Sequence, residues 1–153
     1  YPLPNGFSAA GDFSACEKLM KPLINDIHQV DTTVKSVIQS NPGQTWYIIG
    51  GLSAMLQEKP FTFGHQVFTN QEVALKANRQ ICQQDWSILG TIYPENKYIF
   101  AACLNASYFY SLFVEGFGID KNQPIHYLSN KISTNNWSLG VVLCQDGRLC
   151  SIA

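Results

Sequence analysis

Residues 86–114 read WSILGTIYPENKYIFAACLNASYFYSLFV, and this stretch decides the predicted fold. Its runs of aromatic and β-branched residues are separated by Pro, Asn and Gly, as is typical of β-strands. Two more runs of the same kind follow, so that the predicted strands span residues 86–93, 97–104, 107–114, 124–128 and 137–144. Successive strands of this kind favour an antiparallel sheet.

The first part of the chain predicts a helix. Ser14 and Glu17 form a capping box, and the apolar residues that follow recur at helical spacing. They form one stripe, at Leu19, Met20, Leu23, Ile24, Ile27 and Val30. Pro22 lies inside this pattern, so the helix either begins near Pro22 or kinks there. Residues 1–13 contain two prolines and two glycines and predict an extended N-terminal arm.

Shorter elements complete the predicted organisation. A second helix is predicted to start at Asp31 and to stop before Asn41, and a third to run from Asn70, as its cap, to about Gln83. The remaining predicted elements are a strand at 45–49 and a helical turn at 52–57. Helices first and strands later is the pattern of an α+β domain, with the N-terminal helices packed on an antiparallel sheet.

Length and composition indicate one secreted domain over residues 1–153. A chain of this size can bury roughly 70% of the surface that it exposes when unfolded. Only 14% of its residues are charged, against about 25% in an average domain, so Asn, Gln, Ser and Thr must form the polar surface. The chain begins at Tyr1, from which we expect that a signal peptide has been removed. No run reaches the length of a membrane span, and we expect no membrane association.

The charge and the sequons agree with this class of protein. The net charge is −1 and the basic residues are scattered, which disfavours strong binding to nucleic acid. Asn105 and Asn136 each begin an Asn-X-Ser sequon, the acceptor pattern for N-glycosylation.

The five cysteines are Cys16, Cys82, Cys103, Cys144 and Cys150. They lack the CxxC spacing of a zinc site, so we predict one or two disulfides, one free thiol and no metal. Asp146-Gly147 predicts a hairpin. With a two-residue turn, Cys144 and Cys150 point to opposite faces and one of them would bridge to Cys16. With a three-residue loop they share a face and can bridge each other.

Few residues could carry acid–base chemistry, which needs two titratable groups on either side of a substrate. The histidines are His28, His65 and His126, and the plausible carboxylate partners are Glu72, Glu95 and Glu115. His28 is expected on the surface of a helix, and His126 lies in a predicted strand. His65 is the strongest candidate, with Glu72 as its partner in an active hydrolase.

Residues 63–70, FGHQVFTN, resemble a stretch of the secreted fungal guanyl-specific ribonucleases and ribotoxins. In that family an aromatic, a proline and a histidine precede an aromatic and an asparagine. The two aromatics match Phe63 and Phe68, the histidine matches His65 and the asparagine matches Asn70. NKYIF, at 96–100, is similar to another family strand, with Lys97 in place of an arginine, and residues 140–151 are similar to the closing strand. The resemblance implies a ribonuclease-like fold, a helix packed on a twisted antiparallel sheet.

The same resemblance implies that the catalytic set is lost. The family needs a base, an acid and a cation, but the strand before NKYIF contains no carboxylate, and Leu112 or Cys144 stands where the second histidine would be. Lys97 keeps a charge but not the bidentate fork of arginine. Losing one member of an acid–base pair costs a factor of about 10² to 10⁴ in rate. We therefore expect an inactive enzyme, with site remnants at Phe63, His65 and Lys97.

The chain thus resembles the ribonuclease-like effectors of plant-pathogenic fungi, and this resemblance implies a secreted, catalytically inactive protein. Its expected partner is a host protein, with recognition by a host immune receptor and entry into the host cell as further expectations. Weak or no nucleic-acid binding and no cofactor are expected. Two alternatives stay open: an active secreted ribonuclease or other hydrolase that uses His65, and a small-ligand carrier with an apolar pocket.

Overall fold

A computed structural model describes residues 11–48, 51–63 and 66–127 of the protein. Its helices are α1 (Phe13–His28), α2 (Val30–Thr33), α3 (Lys35–Gln39), α4 (Gly51–Met55), α5 (Asn70–Ala77), α6 (Trp86–Ile92) and α7 (Ala102–Tyr110). π-helical turns continue α5 and α7 at Asn78–Cys82 and Ser111–Gly116, and a 3₁₀ turn, Ile99–Ala101, leads into α7. The strands are β1 (Trp46–Ile48), β2 (Val67–Phe68) and β3 (Ile125–Tyr127). The predicted α+β class is confirmed.

The three strands form one mixed sheet in the order β1-β3-β2. Ile125 of β3 lies opposite Trp46 in a parallel pair and opposite Phe68 in an antiparallel pair. A parallel pair needs a long crossover connection, and the helices between β1 and β3 supply it. The strands predicted at 45–49 and 124–128 are confirmed in their central residues, whereas the predicted antiparallel sheet is wrong.

Residues 86–114, predicted as three strands, are mostly helical. Asp85 starts α6 by accepting a hydrogen bond from the Ser87 N–H at 2.8 Å. Helix α7 packs against both α1 and α5, and its small residues Ala102, Ala106 and Ser107 are buried in these contacts. A helix that is buried on several sides lacks the polar face that makes a helical period visible. The run that forms α7 therefore resembles a strand in sequence although it folds as a helix.

Helix α1 begins earlier than the predicted capping box. Asp12, and not Ser14, is the cap, because its side chain accepts two backbone hydrogen bonds, the shorter from the Ser14 N–H at 2.8 Å. Pro22 lies inside the helix without ending it. Phe13 is already helical, so the predicted arm ends before it, and residues 1–10 lie outside the described ranges.

Only part of the predicted stripe on α1 faces the core. Ile24 is buried, but Leu19 and Ile27 are 68% and 64% exposed. The helix packs instead on α7 and the following π-helical turn, and the Phe13 ring meets the Tyr110 ring edge-on at 5.8 Å. A neighbouring helix covers a narrower strip of α1 than the predicted sheet would, so much of the stripe remains at the surface.

The core lies between the inner face of the sheet and helices α4, α5 and α7. The largest fully buried apolar side chains are those of Phe61, Phe68, Leu56, Ile81 and Ile125. Ser107 is also fully buried, and its hydroxyl donates to the Leu104 carbonyl at 2.9 Å. None of the helices in the described ranges is long and apolar enough to span a membrane.

Helix α5 begins with a complete capping box. Thr69 Oγ1 accepts from the Glu72 N–H at 3.1 Å, and the Glu72 carboxylate accepts from the Thr69 N–H at 2.7 Å. The cap is Thr69 rather than the predicted Asn70, because Thr69 has the extended backbone that a cap requires. The helix predicted from Asn70 to about Gln83 is confirmed, with its last turn π-helical.

We expect Thr69→Ala to lower the free energy of unfolding by about 1 kcal/mol, since it removes an N-cap hydroxyl. Urea unfolding followed by tryptophan fluorescence measures the change. Thr45→Ala is the matched control, because Thr45 is exposed in the loop before β1. Equal unfolding midpoints for the two variants would contradict the role of Thr69 as a cap.

A disulfide links the π-helical turn after α5 to α7. Cys82, at the end of the π-helical turn after α5, is bonded to Cys103 on α7. Cys16 has no disulfide partner among the described residues. Cys144, Cys150 and the predicted hairpin lie outside the described ranges, so the bridge from that hairpin to Cys16 stays a prediction.

Candidate functional site

A cleft with a volume of about 520 Å³ lies between the turn after α4 and the segment that ends α6. We call it the Asn96 cleft. Its first wall is formed by Gln57, Glu58, Lys59 and Thr62, and its second by Ile92, Tyr93, Pro94, Glu95 and Asn96. Carboxylates, an ammonium group and an aromatic ring occur together in this cleft.

Asn96 holds the two walls of the cleft together. It is buried, and its side-chain N–H group donates to the Lys59 carbonyl at 2.8 Å. Its side-chain oxygen accepts from the Tyr98 N–H at 2.9 Å. In the first wall, the Phe61 N–H donates to the Glu58 carbonyl at 2.8 Å and closes a turn. These backbone contacts set the positions of Glu58 and Lys59 relative to the second wall.

Three charged side chains line the cleft. Glu58, Lys59 and Glu95 take part in none of the salt bridges within the part of the chain that the structure describes. A carboxylate can accept a proton or bind a metal ion, and an ammonium group can bind phosphate. The half-buried ring of Tyr93 adds an apolar surface on which a planar group can stack. The cleft therefore offers a ligand two carboxylates, one ammonium group and an apolar aromatic surface.

A second lysine lies just behind the first wall. The Lys76 ammonium donates to the Thr62 carbonyl at 2.9 Å and lies 4.4 Å from the centre of the Phe63 ring. Burial lowers the pKa of Lys76. Phe63, predicted as a remnant of a ribonuclease site, thus contacts a cation that also fixes the loop at Thr62.

Most of the predicted acid–base residues have structural roles. The Glu72 carboxylate is engaged in the α5 capping box, and Glu115 forms a salt bridge with Lys21 at 2.7 Å. His65 lies outside the described ranges, so its pairing with Glu72 stays a prediction. Glu95 is the predicted carboxylate that lines the Asn96 cleft.

The other two histidines contact aromatic side chains. His28 is exposed, as predicted, and its Nε2 lies 2.6 Å from the Tyr108 hydroxyl oxygen. The His126 ring stacks on the Tyr47 ring with the centroids 5.0 Å apart. Both arrangements join neighbouring elements, α1 to α7 and β1 to β3.

The remaining predicted positions lie away from strands or outside the described ranges. Lys97 is exposed in a turn before the 3₁₀ turn, and not on the strand that the resemblance implies. Asn105, in the first sequon, is half-buried on α7, whereas Asn136 lies outside the described ranges. Sequence reasoning missed Glu58, Lys59 and Tyr93. Only Pro94-Glu95-Asn96 could have indicated the cleft from the sequence. Its turn-forming residue types predict a loop, and this loop forms part of the second wall.

The model of the GDA1/CD39 (nucleoside phosphatase) family matches residues 6–148, almost the whole chain. No curated protein matches the sequence.

The match contradicts the predicted ribonuclease-like effector of plant-pathogenic fungi. The ribonuclease resemblance covers only short segments, and NKYIF folds as a turn and a 3₁₀ turn instead of a strand. The prediction of a catalytically inactive protein is wrong for the same reason, because the matched family is one of phosphatases. The alternative of an active hydrolase is closer to the finding.

Proposed function

The chain belongs to the GDA1/CD39 (nucleoside phosphatase) family, and from this premise we propose that it hydrolyses phosphate groups of nucleotides. The observation that carries the proposal is the family match over residues 6–148. We assign the binding of the nucleotide to the Asn96 cleft, which combines charged groups and an aromatic ring.

The dimensions and side chains of the cleft support this assignment. A volume of about 520 Å³ lies within the range of roughly 300 to 1,000 Å³ that is usual for small-molecule sites. The Lys59 ammonium binds the phosphate oxygens, because a compact cation stabilises their negative charge. The Tyr93 ring provides the surface for the base, since bases stack on aromatic side chains.

Hydrolysis requires that the attacking water lose a proton. A carboxylate beside the phosphate can accept it, and Glu58 and Glu95 both line the cleft. One of them therefore acts as the general base in this proposal. The comparison of their glutamine variants identifies which one.

The cleft lacks the positive charge that a nucleotide needs. Two carboxylates beside one ammonium group give it a negative charge, which opposes phosphate binding. A divalent cation that arrives with the nucleotide offsets this charge, because Mg²⁺ is usually held by one or two carboxylates together with phosphate oxygens. In the described ranges no group of three or more His, Cys, Asp or Glu side chains could hold a metal ion by itself. We therefore expect the activity to require an added divalent cation.

The test is the release of inorganic phosphate from nucleoside di- and triphosphates, with Mg²⁺ and with a chelator. Lys59→Ala is expected to lower kcat/KM by about 10²-fold, because it removes a charged contact to the phosphate. Of Glu58→Gln and Glu95→Gln, the variant of the general base is expected to lose a factor of about 10² to 10⁴ in kcat.

Lys18→Ala serves as the matched control, because Lys18 is exposed on α1 and does not line the cleft. Wild-type rates in all three cleft variants would reject the cleft as the site. Failure of the wild-type protein to release phosphate from any nucleotide would reject the function itself.

We also propose that the protein works in an oxidising compartment, in line with secretion. The support is the Cys82–Cys103 disulfide, since such bonds persist mainly outside the cytosol. Binding to a host protein and weak binding to nucleic acid stay predictions.

A further inference from the structure

Three cysteines line one cavity between the start of α1, the π-helical turn after α5, and α7. The cavity has a volume of about 360 Å³, and we call it the Cys16 cavity. Cys82 and Cys103 line it as a disulfide, and Cys16 lines it as a half-buried thiol with no disulfide partner in the described ranges. Its other walls are mainly apolar and include Ile81 and Leu104. A thiol and a disulfide therefore share one apolar space.

Close packing holds the segment before α1 against the turn that carries the disulfide. A Cβ atom added to Gly11 would lie only 2.5 Å from the Cys82 carbonyl oxygen, so the backbone before α1 touches the turn that carries the disulfide. The Cys16 N–H donates to the Asp12 carbonyl at 3.0 Å in the first turn of α1. Cys16 is the fourth residue of α1, so the contact between Gly11 and Cys82 places the start of its helix next to the turn that carries the disulfide.

We propose that Cys16 exchanges with the Cys82–Cys103 disulfide. The Cys16 thiolate attacks Cys103 Sγ, a Cys16–Cys103 bond forms as the Cys82–Cys103 bond breaks, and the electron pair leaves on Cys82 Sγ, which takes a proton from water. The proposal assigns the attack to Cys103, because that residue is half-buried whereas Cys82 is only 2% exposed. One disulfide replaces another, so the step needs no oxidant and no reductant.

The exchange changes how the Asn96 cleft is held. The Cys82–Cys103 bond closes a loop with a sequence separation of 21, and this loop contains α6 and the cleft wall at 92–96. After exchange the loop is no longer closed, and α7 is bonded to α1 instead. The exchanged form is then expected to hydrolyse nucleotides more slowly, a consequence that rests on the proposed function of the cleft. The exchange itself does not rest on it.

Disulfide mapping tests the exchange without any nucleotide. The full chain is held at about pH 8, near the ordinary pKa of a thiol, then alkylated, digested and mapped at every cysteine. We expect peptides joined through Cys16 and Cys103, together with alkylated Cys82. Alkylation confined to Cys16 with the Cys82–Cys103 bond intact, or a bridge from Cys16 to Cys144 or Cys150, would overturn the proposal.

Cys16→Ser separates exchange from local opening of the structure. Alkylation of Cys82 should disappear in this variant and persist in Ala15→Ser, a control with a neighbouring exposed residue changed. If Cys16→Ser does not fold, alkylation of Cys16 in the folded wild-type protein before the incubation blocks the same thiol. Alkylation of Cys82 at the wild-type level with Cys16 replaced or blocked would show that the thiol plays no part and would end the proposal.

Discussion

A Cys82→Ala, Cys103→Ala variant unfolds with a free energy lower than that of the wild type by about 3 kcal/mol or more. In the loop-entropy model, a bond that spans 21 residues restricts the unfolded chain by about 3 kcal/mol. Cys82 is also buried to 2% exposure, so its truncation leaves a space that adds to the loss. The unfolded chain becomes more expanded, and the dependence of the free energy on denaturant should become steeper.

Urea unfolding of the oxidised protein measures both effects. The matched control is Cys16→Ala, which truncates a half-buried cysteine without opening a described disulfide. We expect a loss of no more than about 1 kcal/mol for this control. If the double variant lost no more stability than the control, the bond would not stabilise the fold in the way described.

Phe61→Ala is expected to lower the free energy of unfolding by about 3 to 5 kcal/mol, because it deletes a fully buried aromatic ring. The Phe61 side chain is 0% exposed and belongs to the same core cluster as Leu56 and Phe68. Its N–H also closes the turn that carries Glu58. Because Phe61 directly follows the segment that carries Glu58 and Lys59, nucleotide hydrolysis at the proposed site should fall together with stability.

Phe100→Ala makes the same chemical change at a position that is 57% exposed. Its expected cost is no more than about 1 kcal/mol, and thermal unfolding of both variants by circular dichroism provides the comparison. Similar losses in the two variants would mean that burial of Phe61 does not dominate the core.

The helices and strands that were predicted correctly share a local cause. The run at 45–49 and the run at 124–128 have β-type residues over a short length, and β1 and β3 form there. The Thr69–Glu72 capping box places its own hydrogen-bond partners three residues apart, so α5 was predictable although its cap was misplaced by one residue. In each case the deciding interactions lie within a few residues of the chain.

The Asn96 cleft was predictable only in part. Glu95 was considered as a catalytic carboxylate because of its residue type, but nothing in the sequence connects it to Glu58 or Lys59. That connection is the hydrogen bond from Asn96 to the Lys59 carbonyl, between residues 37 positions apart. A contact over this separation depends on how the turn after α4 meets the segment after α6, and no local pattern in the sequence predicts that.

A similarity over almost the whole chain is stronger evidence for the family than resemblances over short segments. FGHQVFTN and NKYIF suggested a ribonuclease-like protein, yet the matched family extends over residues 6–148. Phe63 lies beneath the Lys76 ammonium and Lys97 lies in an exposed turn. Neither position therefore has the role that the short resemblance implied.

The sequence by itself determined the α+β class, the helix after Thr69 and the strands at β1 and β3, because caps and short β-type runs act through neighbouring residues. The tertiary structure decided that residues 86–114 are mostly helical, since α7 packs against both α1 and α5. It also decided that Cys82 pairs with Cys103 and that Glu58, Lys59 and Glu95 share one cleft. These outcomes depend on which distant segments pack together, and burial on several sides removes the polar period by which such segments could be recognised.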